Sequence, residues 1–320
     1  MPSTLPVAPW RVFDIEVRAL RRLSPSFLRV TFTGAELDRF ADNGFDQRIK
    51  LALPTPDRPV GCLPAGADWY RQWRDLPDDQ RSPIRTYTVR AVRQAAQEVD
   101  VDLVLHGDGG PATRWARQAR VGDRVALVGP DAGHPGPHGG LEFQPPAGGR
   151  LLIAGDETAA PAICGILERL PADARGHALI EVPEPADTLP VTAPAGMSVA
   201  WLARAGREHG ERLVPAVTEL AAALLPAPAG SGVAGSAPAG SGVAGPGGAG
   251  RSGPALAEVD VDQEILWEVP DAAGPAPLYA WLAGEAGVIR TLRRHLVADR
   301  GLDRGAVAFM GYWRLGRAES

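Results

Sequence analysis

The hydrophobic pattern of this 320-residue chain changes period once, and that change constrains its fold more than any other feature. Up to Pro130 the apolar residues fall in short β-rich runs. Arg11–Leu20, Phe27–Thr33, Arg48–Leu53, Arg85–Arg93, Val99–His106 and Arg124–Val128 read as strands, with turn signals at Ser24-Pro25-Ser26 and Val121-Gly122-Asp123. One short helix interrupts them, Pro111–Arg120, with Pro at its first position and Trp115 and Ala119 four residues apart. Thr55–Pro83 is polar, Pro-rich and carries Trp69, Tyr70 and Trp73; it reads as a long surface excursion. Many strands with one short helix predict an antiparallel barrel. From Arg150 onward strands alternate with helices. The strands are Arg150–Gly155, His177–Val182, Val199–Ala203, Leu278–Ala283 and Ala306–Met310, and the helices Thr158–Leu170, Glu211–Leu225 and Gly287–Arg300. That alternation predicts a parallel sheet covered on both faces. The expected fold class is therefore a β-barrel followed by an α/β domain. Its expected units are residues 1–135 and 150–320, parted in the Gly-, Pro- and His-rich Asp131–Gly149. His134 and His138 there read as loop residues, without metal-ligand spacing.

One segment resists any element assignment. Ala227–Ser236 reads APAGSGVAGS and Ala237–Pro246 reads APAGSGVAGP, running on into Gly247–Gly253. Residues this small cannot bury enough surface to offset ordering entropy, so a flexible insertion at about 226–256 is expected. A formal net charge of −5 argues against general nucleic-acid binding. Arginine replaces lysine almost throughout, and Lys50 is the one lysine. Cys62 and Cys164 are too few and too far apart for a metal cluster or disulfide framework, and each reads as a small buried apolar residue. Met1–Trp10 lacks a charged stretch followed by an apolar run, and no window approaches 18 apolar residues. A cytoplasmic location without a membrane span is expected.

Arg85-Thr86-Tyr87-Thr88-Val89-Arg90 places Arg85, Tyr87 and Val89 on one strand face. A cation, a ring and a hydroxyl within four residues suit a ligand flat in one part and anionic in another, such as a flavin dinucleotide. Read alone, an edge strand with solvated arginines explains the stretch more simply. One strand later, His106-Gly107-Asp108-Gly109-Gly110-Pro111-Ala112-Thr113 is a glycine-rich turn opening a helix, where exposed amides can bind phosphate. A tight turn alone is the plainer alternative. Gly155-Asp156-Glu157-Thr158 lies at the carboxyl end of the first parallel strand, where open α/β sheets bind ligands. Two acids there would repel a pyrophosphate. A polar contact to a nicotinamide, or helix capping by Asp156 or Thr158, fits better. Arg204, ending Trp201-Leu202-Ala203-Arg204, suits a 2′-phosphate as well as it suits solvent. Trp281–Glu285, with Gly284 and Glu285, is another strand running into a helix. Gly311-Tyr312-Trp313-Arg314 sets two aromatics and a cation after the last strand, either as core cover or as a shield for a flavin ring.

Together these stretches resemble the siderophore-interacting protein family, FAD-dependent ferric-siderophore reductases. The resemblance rests on RTYTVR (85–90), HGDGGPATRWA (106–116), GDETAAPAI (155–163), WLARAG (201–206), WLAGE (281–285) and GYWRLG (311–316), in the family's order and over most of the chain. It implies a ferredoxin-NADP reductase-like architecture: a flavin-binding antiparallel barrel, then a parallel-sheet domain for NADPH or NADH. It implies that Arg85, Thr86, Tyr87 and Thr88 hold FAD with the His106 and Gly110–Thr113 turn (Gly110, Pro111, Ala112, Thr113). Asp156, Glu157, Thr158, Arg204, Gly284 and Glu285 would line the pyridine-nucleotide site, with Trp313 beside the cofactors. The long insertion is a departure from the family pattern.

The implied reaction reduces Fe(III) in a siderophore to Fe(II). Fe(III) is hard and prefers charged oxygen ligands, and Fe(II) is held less tightly, so reduction releases it. A hydride carries two electrons and iron takes one, so a flavin is the necessary intermediary. No protein metal ligands and no catalytic acid or base are required. Cations would attract an anionic chelate, and Lys50 and Arg314 are the candidates, a solvated strand-end lysine being the alternative for Lys50. Two rival readings are a flavin reductase or related oxidoreductase with another acceptor, and a non-catalytic siderophore-binding protein.

Overall fold

A computed structural model describes residues 7–55, 58, 60–66, 68–105, 110–225, 266–270 and 276–316. His106, the glycines that follow it up to Gly109, and the repeat at 227–253 lie outside the described residues. The first half is a closed barrel of β1 (Trp10–Arg22), β2 (Phe27–Thr33), β3 (Arg48–Ala52), β4 (Ile84–Arg93), β5 (Glu98–Val104) and β6 (Arg124–Pro130). Every pairing is antiparallel, in the order β1-β2-β5-β4-β3-β6. Closure leaves no free sheet edge. Period-two alternation explains its core: Phe13, Ile15 and Val17 of β1 point in with Val30, Phe32, Ile49, Leu51, Val99, Val101 and Leu127.

Two short helices dress the barrel. α1 (Trp69–Arg74) stands in the excursion between β3 and β4, and its Trp69 is buried. The excursion is thus partly ordered: the Trp73 indole donates to the Ser82 carbonyl and Arg81 lies over the Trp73 ring. Cys62 on this excursion is exposed, against the expectation of burial, whereas Cys164 is buried and its thiol is pushed up to about 12 by desolvation. α2 (Pro111–Gln118) follows β5 and packs Trp115 against Phe32.

The second half is a six-stranded sheet. Its strands are β7 (Arg150–Gly155), β8 (Arg175–Val182), β9 (Gly196–Ala203), β10 (Trp267–Glu268), β11 (Leu278–Glu285) and β12 (Val307–Trp313), and its helices α3 (Ala160–Arg169), α4 (Leu213–Leu224) and α5 (Ala286–Arg293). The order is β10-β12-β11-β7-β8-β9, parallel throughout except that β10 pairs antiparallel with β12. The two-residue β10 is too short to leave a periodic signal, and sequence reading missed it. One apolar layer joins α3 to the sheet, and the opposite face packs on α4 and α5. The helix expected over Gly287–Arg300 is α-helical to Arg293 and then loosens into a π-helical turn, Arg294–Asp299.

The halves meet along a polar seam. Asp187 accepts from the Ser24 hydroxyl (2.7 Å) and from the amide and hydroxyl of Ser26 (2.7 and 2.9 Å). Arg90 of β4 grips Glu168 of α3 with two bonds, and Arg169 grips Asp42 with two. Behind them Asp46, wholly buried, accepts from the Trp281 indole (3.0 Å) and from the backbone of Phe143. Burial pushes its carboxyl up to about 6, against the hydrogen bonds from Phe143 and Trp281 that pull it down.

Candidate functional site

The barrel half of the site is built on β4 and the turn after β5. Arg85 lies opposite Leu51, Thr86 opposite Lys50, Tyr87 opposite Ile49 and Thr88 opposite Arg48. Thr88 is buried, and the half-buried Tyr87 ring packs against the barrel core. Among the described residues Arg85 pairs with no carboxylate; its guanidinium donates to the carbonyl of Ile84 at 2.8 Å. Because β4 and β5 run antiparallel, the turn leaving β5 emerges at the end of β4 that carries Arg85. There Gly110 caps α2 with extended backbone, and Pro111 follows at its first turn. Even a Cβ on Gly110 would touch nothing within 4 Å, so its backbone is open to close approach. Thr113 is buried, and Ala112 packs on the barrel core. The indole Nε1 of Trp115, one turn further on, is buried without a hydrogen-bond partner among the described residues. A cation with no carboxylate partner among the described residues and an open helix N-terminus are donors that fit a dinucleotide phosphate group.

A cavity of about 200 Å³ adjoins this strand, lined by Trp10, Arg48, Ile49, Lys50, Trp69, Thr86, Val128 and Gly140. Lys50 Nζ lies 3.3 Å from the Thr86 hydroxyl. Arg48 pairs with Glu142 and stacks its guanidinium on Trp267 at 4.4 Å. Arg314 is not in this lining; it follows Trp313 on the other sheet and is half-buried.

The sheet half gathers at the carboxyl ends of β7, β8, β9 and β11. Asp156 is the hub. One carboxylate oxygen accepts from the Thr158 amide (2.9 Å) and hydroxyl (2.5 Å), the other from the Glu285 amide (2.7 Å) and the Trp313 indole (2.8 Å). Gly284 is a glycine for a steric reason: its φ is +150°, and a Cβ would lie 2.7 Å from that carboxylate. Glu285 caps α5 by accepting from the amide of Val288 at 2.9 Å. Burial raises the Asp156 carboxyl to about 7 and the adjacent Glu157 charge adds to it, outweighing the bonds from Thr158 and Trp313.

Glu157 is buried and takes a bidentate grip from Arg204 at 2.6 and 2.7 Å. Arg204 is buried too and reaches Glu181 at 3.4 Å. Sequence reading passed over Glu181. It is fully buried and accepts from the amides of Gly210, Arg212 and Leu213, closing the N-terminus of α4. A lone carboxylate inside the apolar run Ala178–Val182 was the available signal. His209, also missed, meets the Trp313 ring edge-on at 4.8 Å, and burial lowers the pKa of its imidazole.

The pairing of a closed antiparallel barrel with a parallel sheet defines a fold class, that of the ferredoxin-reductase-like proteins. The ferredoxin reductase of a carbazole 1,9a-dioxygenase shares that fold, with a TM-score of 0.55 at 14% identity over 97% of this chain and 71% of that one. Within the class, the siderophore-interacting FAD-binding domain matches residues 16–134 and the siderophore-interacting protein model matches residues 149–316. The chain belongs to the siderophore-interacting protein family, and its barrel is an FAD-binding domain. SipS from Aeromonas hydrophila is similar with a TM-score of 0.64 at 30% identity, covering 97% of this chain and 94% of that one. A siderophore utilization protein from T. fusca gives 0.68 at 27% identity, over 99% and 98%. Ferric vibriobactin reductase from Vibrio cholerae is 34% identical over 62% of this chain and 69% of its own, and the NADPH-dependent ferric-chelate reductase of Escherichia coli 30% identical over 64% and 75%.

Proposed function

We propose that this protein is an NAD(P)H-dependent ferric-siderophore reductase that uses FAD. The observation that carries the reading is Arg85, a cation with no carboxylate partner among the described residues, beside the open N-terminus of α2. The relatives named as ferric vibriobactin reductase and ferric-chelate reductase supply the acceptor class.

In this reading residues 1–135 hold the flavin and residues 150–320 the pyridine nucleotide. Arg85 and the Gly110–Thr113 amides hold the phosphates, and Tyr87, Thr86 and Thr88 hold the ring. When bound, FAD supplies the exchange of one two-electron step for two one-electron steps. Asp156, through the Glu285 amide and the Trp313 indole, fixes the rim against which the nicotinamide docks. For Arg204 to reach a 2′-phosphate it must leave Glu157. The preference for NADPH therefore rests more on the Escherichia coli relative than on this guanidinium. Lys50 and Arg314 attract the anionic chelate from the two halves. A pyridine-nucleotide donor fits a reaction in the cytoplasm. Among the described residues no helix is long and apolar enough to cross a membrane.

The test is an anaerobic reduction series with FAD-loaded protein, NADPH and NADH in parallel, several ferric chelates and an Fe(II) trap. Ferric chelates should be reduced faster than free flavin or quinone, and the Lys50→Ala/Arg314→Ala double variant should raise the KM for the chelate several-fold. Reduction of quinone with no trapped Fe(II) would refute the reading.

A further inference from the structure

We propose that the cavity beside Lys50 is a slot for one aromatic arm of the iron chelate, so that the protein selects aryl chelators such as catecholates over aliphatic ones. This rests on the reductase reading above. Three observations converge on it.

The first is size. The cavity measures about 200 Å³. Pockets that bury a whole drug-sized ligand span about 300–1,000 Å³. The slot therefore admits one ring of a chelate whose bulk and metal stay outside. Of the four β4 residues assigned to the flavin, its lining takes only Thr86, not Arg85, Tyr87 or Thr88.

The second is its walls. Trp10 and Trp69 supply two indoles, and Ile49 and Val128 an aliphatic floor. Both indoles are held in place. The Trp10 Nε1 donates to the carbonyl of His138, and Gly140 leaves room for its ring, since a Cβ there would lie 2.8 Å from it. Trp69 meets Tyr70 edge-on at 5.4 Å, and Tyr70 stacks on Trp73 at 5.6 Å. Preset aromatic faces favour a planar ring over a flexible chain, because offset and edge contacts form without ordering cost.

The third is charge. Lys50 belongs to the same lining, so a cation is at hand for the phenolate oxygens of a seated aryl ring, while Arg48 there is claimed by Glu142. Aliphatic hydroxamates would present methylene chains to the indoles and gain none of this geometry.

The experiment measures binding of redox-inert Ga(III) complexes to the FAD-loaded protein by calorimetry. The probes are Ga(III) with 2,3-dihydroxybenzoate, Ga(III) with a linear trihydroxamate, and Ga(III) citrate, an anionic chelate without a ring. The catecholate should bind tightest in the wild type. Trp69→Leu should weaken the catecholate about ten-fold, the scale of one lost aromatic pair, and move citrate less than two-fold, while Trp69→Phe restores most of the loss. Trp10→Leu is the second variant, should Trp69→Leu not fold. Equal weakening of citrate and catecholate, or catecholate binding no tighter than citrate in the wild type, overturns the proposal. So does loss of FAD affinity in Trp69→Leu, which assigns the slot to the flavin. Ga(III) complexes that bind alike, while the Fe(III) complexes of the same chelators are reduced, sink only the aryl selectivity; Ga(III) complexes that do not bind, together with Fe(III) complexes that are not reduced, sink the reductase reading itself.

Discussion

Arg85 and Arg204 stand in comparable places, each at a strand end beside a ligand cleft, and they meet opposite fates. Among the described residues Arg85 makes one bond, to the Ile84 carbonyl, and no carboxylate pairs with its charge. Arg204 is buried and spent on Glu157, with Glu181 behind it. The barrel half of the site thus offers positive charge, while the sheet half has neutralised its own and leaves Asp156 over. The carboxylates follow the same division. On the barrel, burial would raise Asp100, but the hydrogen bonds of Arg93 and Thr31 outweigh it and hold the carboxyl below its ordinary range. On the sheet, Asp156 has only neutral donors and a like charge beside it, and rises to about 7. The difference teaches that a strand-end arginine in an arginine-rich chain marks an anion site only when no carboxylate of the fold has claimed it.

Removing each arginine tests the comparison most sharply. Arg204→Ala leaves Glu157 buried and uncompensated, at a cost of about 3–5 kcal/mol, and thermal unfolding should show a fall in Tm of roughly 10 °C. An unchanged Tm with a lost preference for NADPH would reverse the contrast drawn here. Arg85→Ala should instead keep its Tm without FAD and weaken FAD binding about 10- to 100-fold, as expected for a hydrogen bond to charge worth about 1.5–3 kcal/mol. Fluorescence titration of the FAD-free protein reads it directly. The smallest effect concerns Asp156. Its folded pKa is raised above the unfolded value, so its contribution to stability is full below about pH 4 and is lost as pH rises toward 7. Asp156→Asn should flatten the dependence of Tm on pH across that window. An identical slope in both proteins would show that Asp156 stays ionised.

Much of this was legible in the sequence. Period-two alternation placed all six barrel strands, and the αβ alternation placed five of the six sheet strands, because those runs are long enough to carry a face. The same reading located Asp156, Gly284, Glu285 and Trp313 at strand ends, and the structure joins them through one carboxylate. It could not see that Arg204 faces Glu157, since strand-end partners come from different strands. Trp69 was visible on the excursion, but its meeting with Trp10, 59 positions earlier at the head of β1, was not, since nothing in the sequence pairs the two stretches. Lys50 and Arg314 were paired on charge alone, and the fold sets them on different sheets.

The seam of Asp187, Arg90–Glu168 and Arg169–Asp42 carries a consequence for traffic through the molecule. With α3 tied to the barrel by Arg90–Glu168 and Arg169–Asp42, and Asp187 tied to Ser24 and Ser26, the two lobes can part only by breaking these bonds together. Adjustment to a bound ligand then falls to single side chains at the carboxyl ends of the sheet strands, where the Trp313 indole leans on both Asp156 and His209.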